Sequence, residues 1–365
     1  MRYRKLQALI VGFGLIAAAC GGGGASTAPS TAPAASLAPG GSSAPSTPAS
    51  TAPSAAGSTA KVSIMVGGLS KQIYLASKLS EALGNFTAQG LEVTLIDEPS
   101  GTDTETEIIA GHADIGSGSY DHTLDLQSKG KIITTILNQL QTPGEFVMVS
   151  TAKADTIKSP ADFKGHSLGV TSIGSGTHTL MRAMVVKAGL KVEDSTYVKA
   201  GAGDTFIAAM KQGQIDAGIT TQPTRLQVEK QGVGKLLVDL SKPDTTEAAL
   251  GGPYPFISLW AKAEYIAANK DTVQKVVNAY VATLKWIQTH TAADIADKLP
   301  ADYYAGDKAG YVQALTDSMG MFNPDGKMSQ AALDSVLKIN KAFKTGLDTI
   351  DLTKTYTSEF VDNAK

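Results

Sequence analysis

Apolar residues fall along this chain in three regimes. The first is a short apolar run, interrupted by Gln7: Arg2, Arg4 and Lys5 precede the stretch Leu6 to Ala19. A basic segment followed by an apolar one is the order of a secretory signal, predicted here over residues 1–19. A membrane-spanning helix needs roughly 17–25 apolar residues, so this run directs export. The second regime offers almost nothing to bury: Gly21 to Ala60 is nearly all Gly, Ser, Ala, Thr and Pro, without a charged or aromatic residue. Residues 20–60 are therefore predicted to be a disordered tether, with a root-mean-square reach of roughly 35 Å.

The third regime is periodic. Val62, Ile64 and Val66 alternate with smaller or polar residues and stop at Gly67-Gly68, which predicts a strand ending in a loop. Ile73 to Leu83 reads as a helix and Gly90 to Ile96 as a strand. Thr102 to Ala110 reads as a helix closed by Gly111, where a left-handed cap is favoured. Short strands alternating with helices predict a parallel or mixed sheet with helices on its faces, an α/β fold. Lys61 to Lys365 is longer than one core usually serves, so two lobes are expected.

A weak internal repeat supports two lobes. Gly90-Leu91-x-Val93, a helix and then Gly111-His112-Ala113-Asp114-Ile115-Gly116 are echoed by Gly189-Leu190-x-Val192, a helix and then Gly213-Gln214-Ile215-Asp216-Ala217-Gly218. The copies of Gly-x-x-Asp-x-Gly start 102 residues apart, at Gly111 and Gly213. Each Gly ends a helix, and each Asp is expected to hydrogen-bond nearby backbone amides.

Charge and cysteine content narrow the function. Taking Arg2, Arg4 and Lys5 from the 32 basic residues leaves 29 against 34 acidic ones, a mature net charge of −5 that gives no sign of nucleic-acid binding. The single cysteine, Cys20, excludes an intrachain disulfide, and five scattered histidines show no metal-ligand spacing. Cys20 follows Ala17-Ala18-Ala19 and precedes a glycine run, which resembles the bacterial lipoprotein box, although Ala17 stands where Leu is common. That resemblance implies cleavage before Cys20 and its lipidation, a membrane anchor stable once two or more acyl chains are present.

The order Gly90-Leu91-Glu92-Val93, Ala110 to Gly116, Ile157-Lys158-Ser159-Pro160-Ala161-Asp162-Phe163-Lys164-Gly165, Gly174-Ser175-Gly176-Thr177, Gly189-Leu190 and Gly213 to Ala217 resembles the substrate-binding proteins of nitrate, sulfonate and taurine ABC importers. Their superfamily includes the thiamine-pyrimidine-precursor binders. The resemblance implies a periplasmic-binding-protein type II fold: two Rossmann-like lobes joined by two crossovers, placed near Ser150 to Thr156 and near Gly252 to Ile257. Residues 61–152 and 256–365 would form the first lobe with its C-terminal helices, and residues 153–255 the second. It further implies an extracytoplasmic monomer with a small-molecule ligand, an ABC permease as membrane partner and no cofactor.

In open α/β sheets, ligands sit beyond the carboxyl ends of the strands. The candidate ligand-binding residues are Gly68, Leu69 and Ser70; Ser100, Gly101 and Thr102; Ser117, Gly118, Ser119 and Tyr120; Ser175, Gly176 and Thr177; and Thr221 and Gln222. Glycines admit close backbone approach, hydroxyls donate, and helix N-termini favour an anion or strong acceptor. The nearest arginines, Arg182 and Arg225, are not at strand ends, so no cation is committed to a sulfonate, and Tyr120 is expected to touch the ligand. Gly165-His166-Ser167-Leu168-Gly169 matches the G-x-S-x-G elbow of esterases, but Ser159 to Lys164 reads as a capped helical turn and Ser167 to Thr171 as a strand, the reverse of an elbow. Pyrimidine synthases share the superfamily's fold, but their cysteine-rich motif does not occur in the folded part. No catalytic residue is assigned. A ligand-sensing lipoprotein without a transport role is the alternative to an importer component.

Overall fold

A computed structural model describes residues 59–365, apart from residue 305. The leader at 1–19, Cys20 and nearly all of the 20–60 tether lie outside the described residues. Ala60 already pairs with Leu91 as the first residue of a strand, so regular structure begins one residue inside the expected tether.

Ten strands form two five-stranded sheets. They are β1 (Ala60–Val66), β2 (Leu91–Asp97), β3 (Ile115–Ser119), β4 (Ile133–Asn138), β5 (Phe146–Ser150), β6 (Ser167–Val170), β7 (Thr196–Lys199), β8 (Ala217–Thr220), β9 (Gly234–Asp239) and β10 (Ile257–Lys262). The first sheet runs β2-β1-β3-β10-β4 and the second β7-β6-β8-β5-β9. β1 is parallel to β2 and β3, and β6 is parallel to β7 and β8. The fourth strand of each sheet is antiparallel to both its neighbours: β10 to β3 and β4, β5 to β8 and β9.

The antiparallel strands follow from the chain's path. Each is the first strand after a crossing from the other sheet: β5 follows β4 of the first, and β10 follows β9 of the second. A chain leaving one lobe at the cleft enters the other lobe from the cleft, so its next strand runs against those whose carboxyl ends face the cleft. This corrects the expected first crossing. It lies between Asn138 and Phe146, not near Ser150 to Thr156, so β5 belongs to the second sheet and the boundary at 152 falls too late. The return path lies between the helix Pro243–Leu250 and β10.

Strand alternation sorts the cores, because successive side chains leave a strand on opposite faces. Val62, Ile64 and Val66 of β1 join Val147 and Val149 of β5 in one large cluster. Met65 packs with Ile108, Leu126 and Trp260 on the other face of the first sheet, and Phe146 and Met148 with Phe206 and Met210 on the other face of the second.

The repeated aspartates act as staples between parallel strands. Asp114 Oδ2 accepts from the Ser63 backbone N–H at 2.8 Å and from its hydroxyl at 2.7 Å. Asp216 Oδ2 accepts from the Ser167 N–H at 3.1 Å and contacts His166 Nδ1 at 2.9 Å. Burial alone would raise the Asp216 carboxyl, but the His166 and Ser167 hydrogen bonds outweigh it and hold it below the usual range. Each staple ties the second strand of its sheet's order, β1 or β6, to the central one, β3 or β8. The G-x-S-x-G segment has the reverse of elbow geometry: Ser159 caps the short helix Pro160–Asp162, and Ser167 opens β6 instead of ending a strand.

Candidate functional site

The carboxyl ends of the parallel strands in both sheets meet across an interlobe cavity. Gly67 follows β1, Ser119 ends β3, Thr171 follows β6, and Thr220 ends β8; all four line it. Two helix N-termini face it as well. Gly101 begins the helix Gly101–Ala110, capped by Ser100, and Gly176 begins the helix Gly176–Lys187, capped by Ser175. The first N–H groups of a helix have no intrahelical partner, so such ends suit acceptors.

The lobes are closed on one another. Ser100 Oγ lies 3.1 Å from Ser172 Oγ of the second lobe, and the Gln72 N–H donates to the Gln222 carbonyl at 3.0 Å. The lobes also approach closely at Gly176, where an added Cβ would stand 2.5 Å from Ser119 Oγ and 2.7 Å from the Phe256 ring. Only a glycine permits that contact. The space remaining inside is about 20 Å³, room for about one water.

Of the residues expected from sequence, Gly101, Ser119, Ser175, Gly176, Thr177 and Thr221 line this cavity. The others stand off it, each for a visible reason. Gly68 makes the turn with φ 125°, the Leu69 N–H bonds Asp97 Oδ1 at 2.6 Å, and Ser70 is exposed. Ser100 is engaged as a helix cap with Asp103, and Thr102 sits one residue further along its helix. Ser117 accepts from Gln139 Nε2 at 2.8 Å, and Gly118 packs under Trp260. The Gln222 side chain accepts from the Leu226 N–H at 3.2 Å.

Tyr120 is the clearest correction. It is fully buried, and its hydroxyl bonds Thr355 Oγ1 at 2.7 Å, turned into the C-terminal packing. Ser119 points into the cavity, and the next side chain leaves the backbone on the opposite side.

The residues missed from sequence carry the charge. Glu145, one residue before β5, lines the cavity at 2% exposure, and its Oε2 has no hydrogen-bond partner among the described residues. Thr220 Oγ1 is likewise buried and unpartnered. Burial pushes the Glu145 carboxyl up to about 8, against the pull of Lys71. The cation at the cavity is Lys71, not an arginine. Its Nζ donates to the carbonyls of Gly67 at 2.6 Å and Pro99 at 3.0 Å, and burial lowers it despite Glu145, Asp97 and Asp103. Tyr74 completes this wall, its hydroxyl raised by burial and then by Glu145.

Glu145 and Phe256 share an origin: each immediately precedes an antiparallel strand and so lies at the cleft end of its sheet. Strand direction after a crossing is the signal that reveals them. His178, inside the second helix start, is off the cavity; Gly174 donates to its Nδ1 at 3.0 Å, and burial, with Arg182 and Lys344, lowers it to about 4.

Behind the first lobe's wall lies a buried charge cluster. Asp121 is fully buried, with Lys344 Nζ at 3.5 Å from it and 2.8 Å from Asp125. Burial would raise Asp121, but Lys344 and His122 outweigh it and hold it low. His122 lies 2.6 Å from Glu105; burial would lower it, and that pairing wins and raises it. A second concavity of about 490 Å³ lies on the outer face of the second lobe, but Met184, Leu237, Val238, Ala248 and Ala249 give it an open, largely aliphatic wall from one lobe alone.

Among the described residues, no helix is long and apolar enough to cross a membrane, and no cluster of three or more His, Cys, Asp or Glu is placed to hold a metal ion. Comparison with known proteins agrees with the architecture. A solved structure from Bordetella bronchiseptica RB50 is 35% identical with a TM-score of 0.78, covering 83% of this chain and 96% of that one. The alkanesulfonate-binding protein SsuA of Xanthomonas axonopodis pv. citri, bound to MOPS, has a TM-score of 0.64 at 16% identity, covering 83% and 99%. These likenesses give the fold, that of the periplasmic binding proteins. In sequence, the 4-amino-5-hydroxymethyl-2-methylpyrimidine phosphate synthase of Schizosaccharomyces pombe is 26% identical over 162 residues, 44% of this chain. The chain thus spans only about 45% of that synthase's length. The family model described as NMT1/THI5 like matches residues 72–293, more than half of the sequence. The chain belongs to the NMT1/THI5-like family.

Proposed function

We propose that the protein is an extracytoplasmic solute-binding lipoprotein, anchored through Cys20, that captures a small organic molecule or anion by cleft closure and delivers it to an ABC importer. The observation that carries this reading is one cavity walled by both lobes, with buried polar atoms left without partners on each: Ser119 Oγ on the first, and Glu145 Oε2 and Thr220 Oγ1 on the second. An unsatisfied buried polar group costs about 1–3 kcal/mol. The shut arrangement leaves room for about one water, so a ligand holds the lobes slightly further apart; one that reaches both walls does so only when they close around it, and that differential affinity is what shifts an open–closed equilibrium. Likeness to a sulfonate-binding protein supports the reading.

The test is a calorimetric and thermal-shift screen of sulfonates, nitrate, pyrimidines and aromatic acids against the wild type and the Ser119→Trp and Thr177→Trp variants. A ligand that stabilises the wild type is expected to lose binding in both variants while each stays folded by circular dichroism. Unchanged affinity in both places the binding site elsewhere. Metabolic labelling with a fatty acid that disappears in Cys20→Ser checks the anchor.

A further inference from the structure

Resting on that solute-binding reading, we propose that Glu145 is the specificity-determining group of the cleft and that the ligand presents an N–H donor to it, so that nitrogen-free oxyanions are rejected. Three observations on the cavity carry this. Glu145 is 2% exposed, lines the cavity and has an unpartnered Oε2. The one lysine lining the cavity forms no direct ion pair with it: its Nζ donates to the carbonyls of Gly67 and Pro99. The rest of the second lobe's wall, in which Glu145 stands beside Thr220 and Thr221, offers the hydroxyls of Thr171, Ser175, Thr177, Thr220 and Thr221 and carries no positive side chain.

The energetic consequence is one-sided. An amino, amide or amidine-like nitrogen donates to Glu145 in either of its protonation states. An oxyanion placed against the ionised carboxylate is repelled in a water-poor interior, and against the protonated form it binds only with a proton taken up and held there. A site built around a buried hydrogen-bonding group discriminates strongly against an analogue that leaves the group unpaired. The helix N-termini at Gly101 and Gly176 remain available for an acceptor at the other end of the molecule. A small ligand with an acceptor at one end and a nitrogen donor at the other therefore matches the Gly101 helix start of the first lobe and Glu145 of the second.

Probe pairs that differ only in the nitrogen test this on the whole protein: taurine against ethanesulfonate, and 4-amino-2-methylpyrimidine against 2-methylpyrimidine, by titration calorimetry. In at least one pair the amino member is expected to bind at least roughly a hundredfold tighter than its partner. Glu145→Leu is expected to abolish that preference, and Glu145→Gln, which keeps a carbonyl acceptor, to retain part of it. Both variants are to be checked for native circular dichroism. Equal binding of both members, or an amino preference that persists in Glu145→Leu, overturns the assignment and leaves solute binding standing. Wild type that binds no probe, and from which no small molecule is released on denaturation, overturns both.

Discussion

The two lobes use the same staple and differ in what stands behind the cleft. Asp114 in the first and Asp216 in the second each hold a neighbouring strand through its backbone amide. The second lobe then offers a wall of hydroxyls with Glu145 beside them. Lys71 and the Asp121–His122–Asp125–Lys344 cluster belong to the first lobe, and Glu145 arrives on the crossing between the lobes. Repetition therefore built two similar frames, while the unrepeated parts, a helix start, a crossing and a C-terminal helix, added the charges. On the proposed reading, the second lobe holds both the general hydrogen bonding and the discriminating Glu145, and the first lobe supplies Lys71 opposite them.

That division is open to direct attack, beginning with its most costly element. Lys344→Met leaves Asp121 and Asp125 buried without their cation and is expected to destabilise the protein by about 3–5 kcal/mol in urea unfolding. A loss below 1 kcal/mol would mean that the first lobe's charges are not coupled as their distances imply.

Glu145→Gln sharpens the contrast through pH. The folded carboxyl sits at about 8, well above the ordinary value of 4.5. Between those values the native state holds a proton that the unfolded chain has lost, so stability falls as pH rises from about 4.5 to about 8 and levels off above. Replacing the group removes that loss. The variant is expected to gain on the order of 2–4 kcal/mol over wild type at pH 9 relative to pH 4.5, measured as the pH dependence of the unfolding midpoint. Parallel curves for the two proteins would deny the buried carboxyl its role.

Gly176→Val tests closure itself. The added side chain meets Ser119 and Phe256 across the cleft only when the lobes are shut, so folding is expected to survive and ligand affinity to fall roughly a hundredfold, about 2.7 kcal/mol. The smallest effect belongs to the neutral wall. Thr220→Val removes a buried hydroxyl that has no partner at little change in volume, and free-protein stability is expected to move by less than about 1 kcal/mol.

Much of the frame was legible in the chain. Alternation at Val62, Ile64 and Val66 gave β1, Gly111 marked a helix end, and the spaced Gly-x-x-Asp-x-Gly segments marked one staple per lobe. These signals are local and follow from strand period, cap geometry and short-range hydrogen bonding. The cleft was half legible, because loops after parallel strands can be named once the strands are known. Glu145 and Phe256 escaped because they precede strands, and strand direction depends on where the chain changes sheets. Lys71 escaped because its helix start gives no sign in sequence that a lysine will fold back on the carbonyls of Gly67 and Pro99. Tyr120 misled for the opposite reason: it sits beside Ser119 in sequence and on the other side of the backbone in space.

The most direct test of the account is a crystal structure of the whole protein with a ligand selected by the screen. The account predicts density bridging the lobes, bounded by Ser119, Glu145 and Thr220, with a nitrogen within hydrogen-bond distance of Glu145. Density instead in the aliphatic groove by Met184 and Leu237, or an oxyanion alone between the lobes with Glu145 turned away, would contradict it.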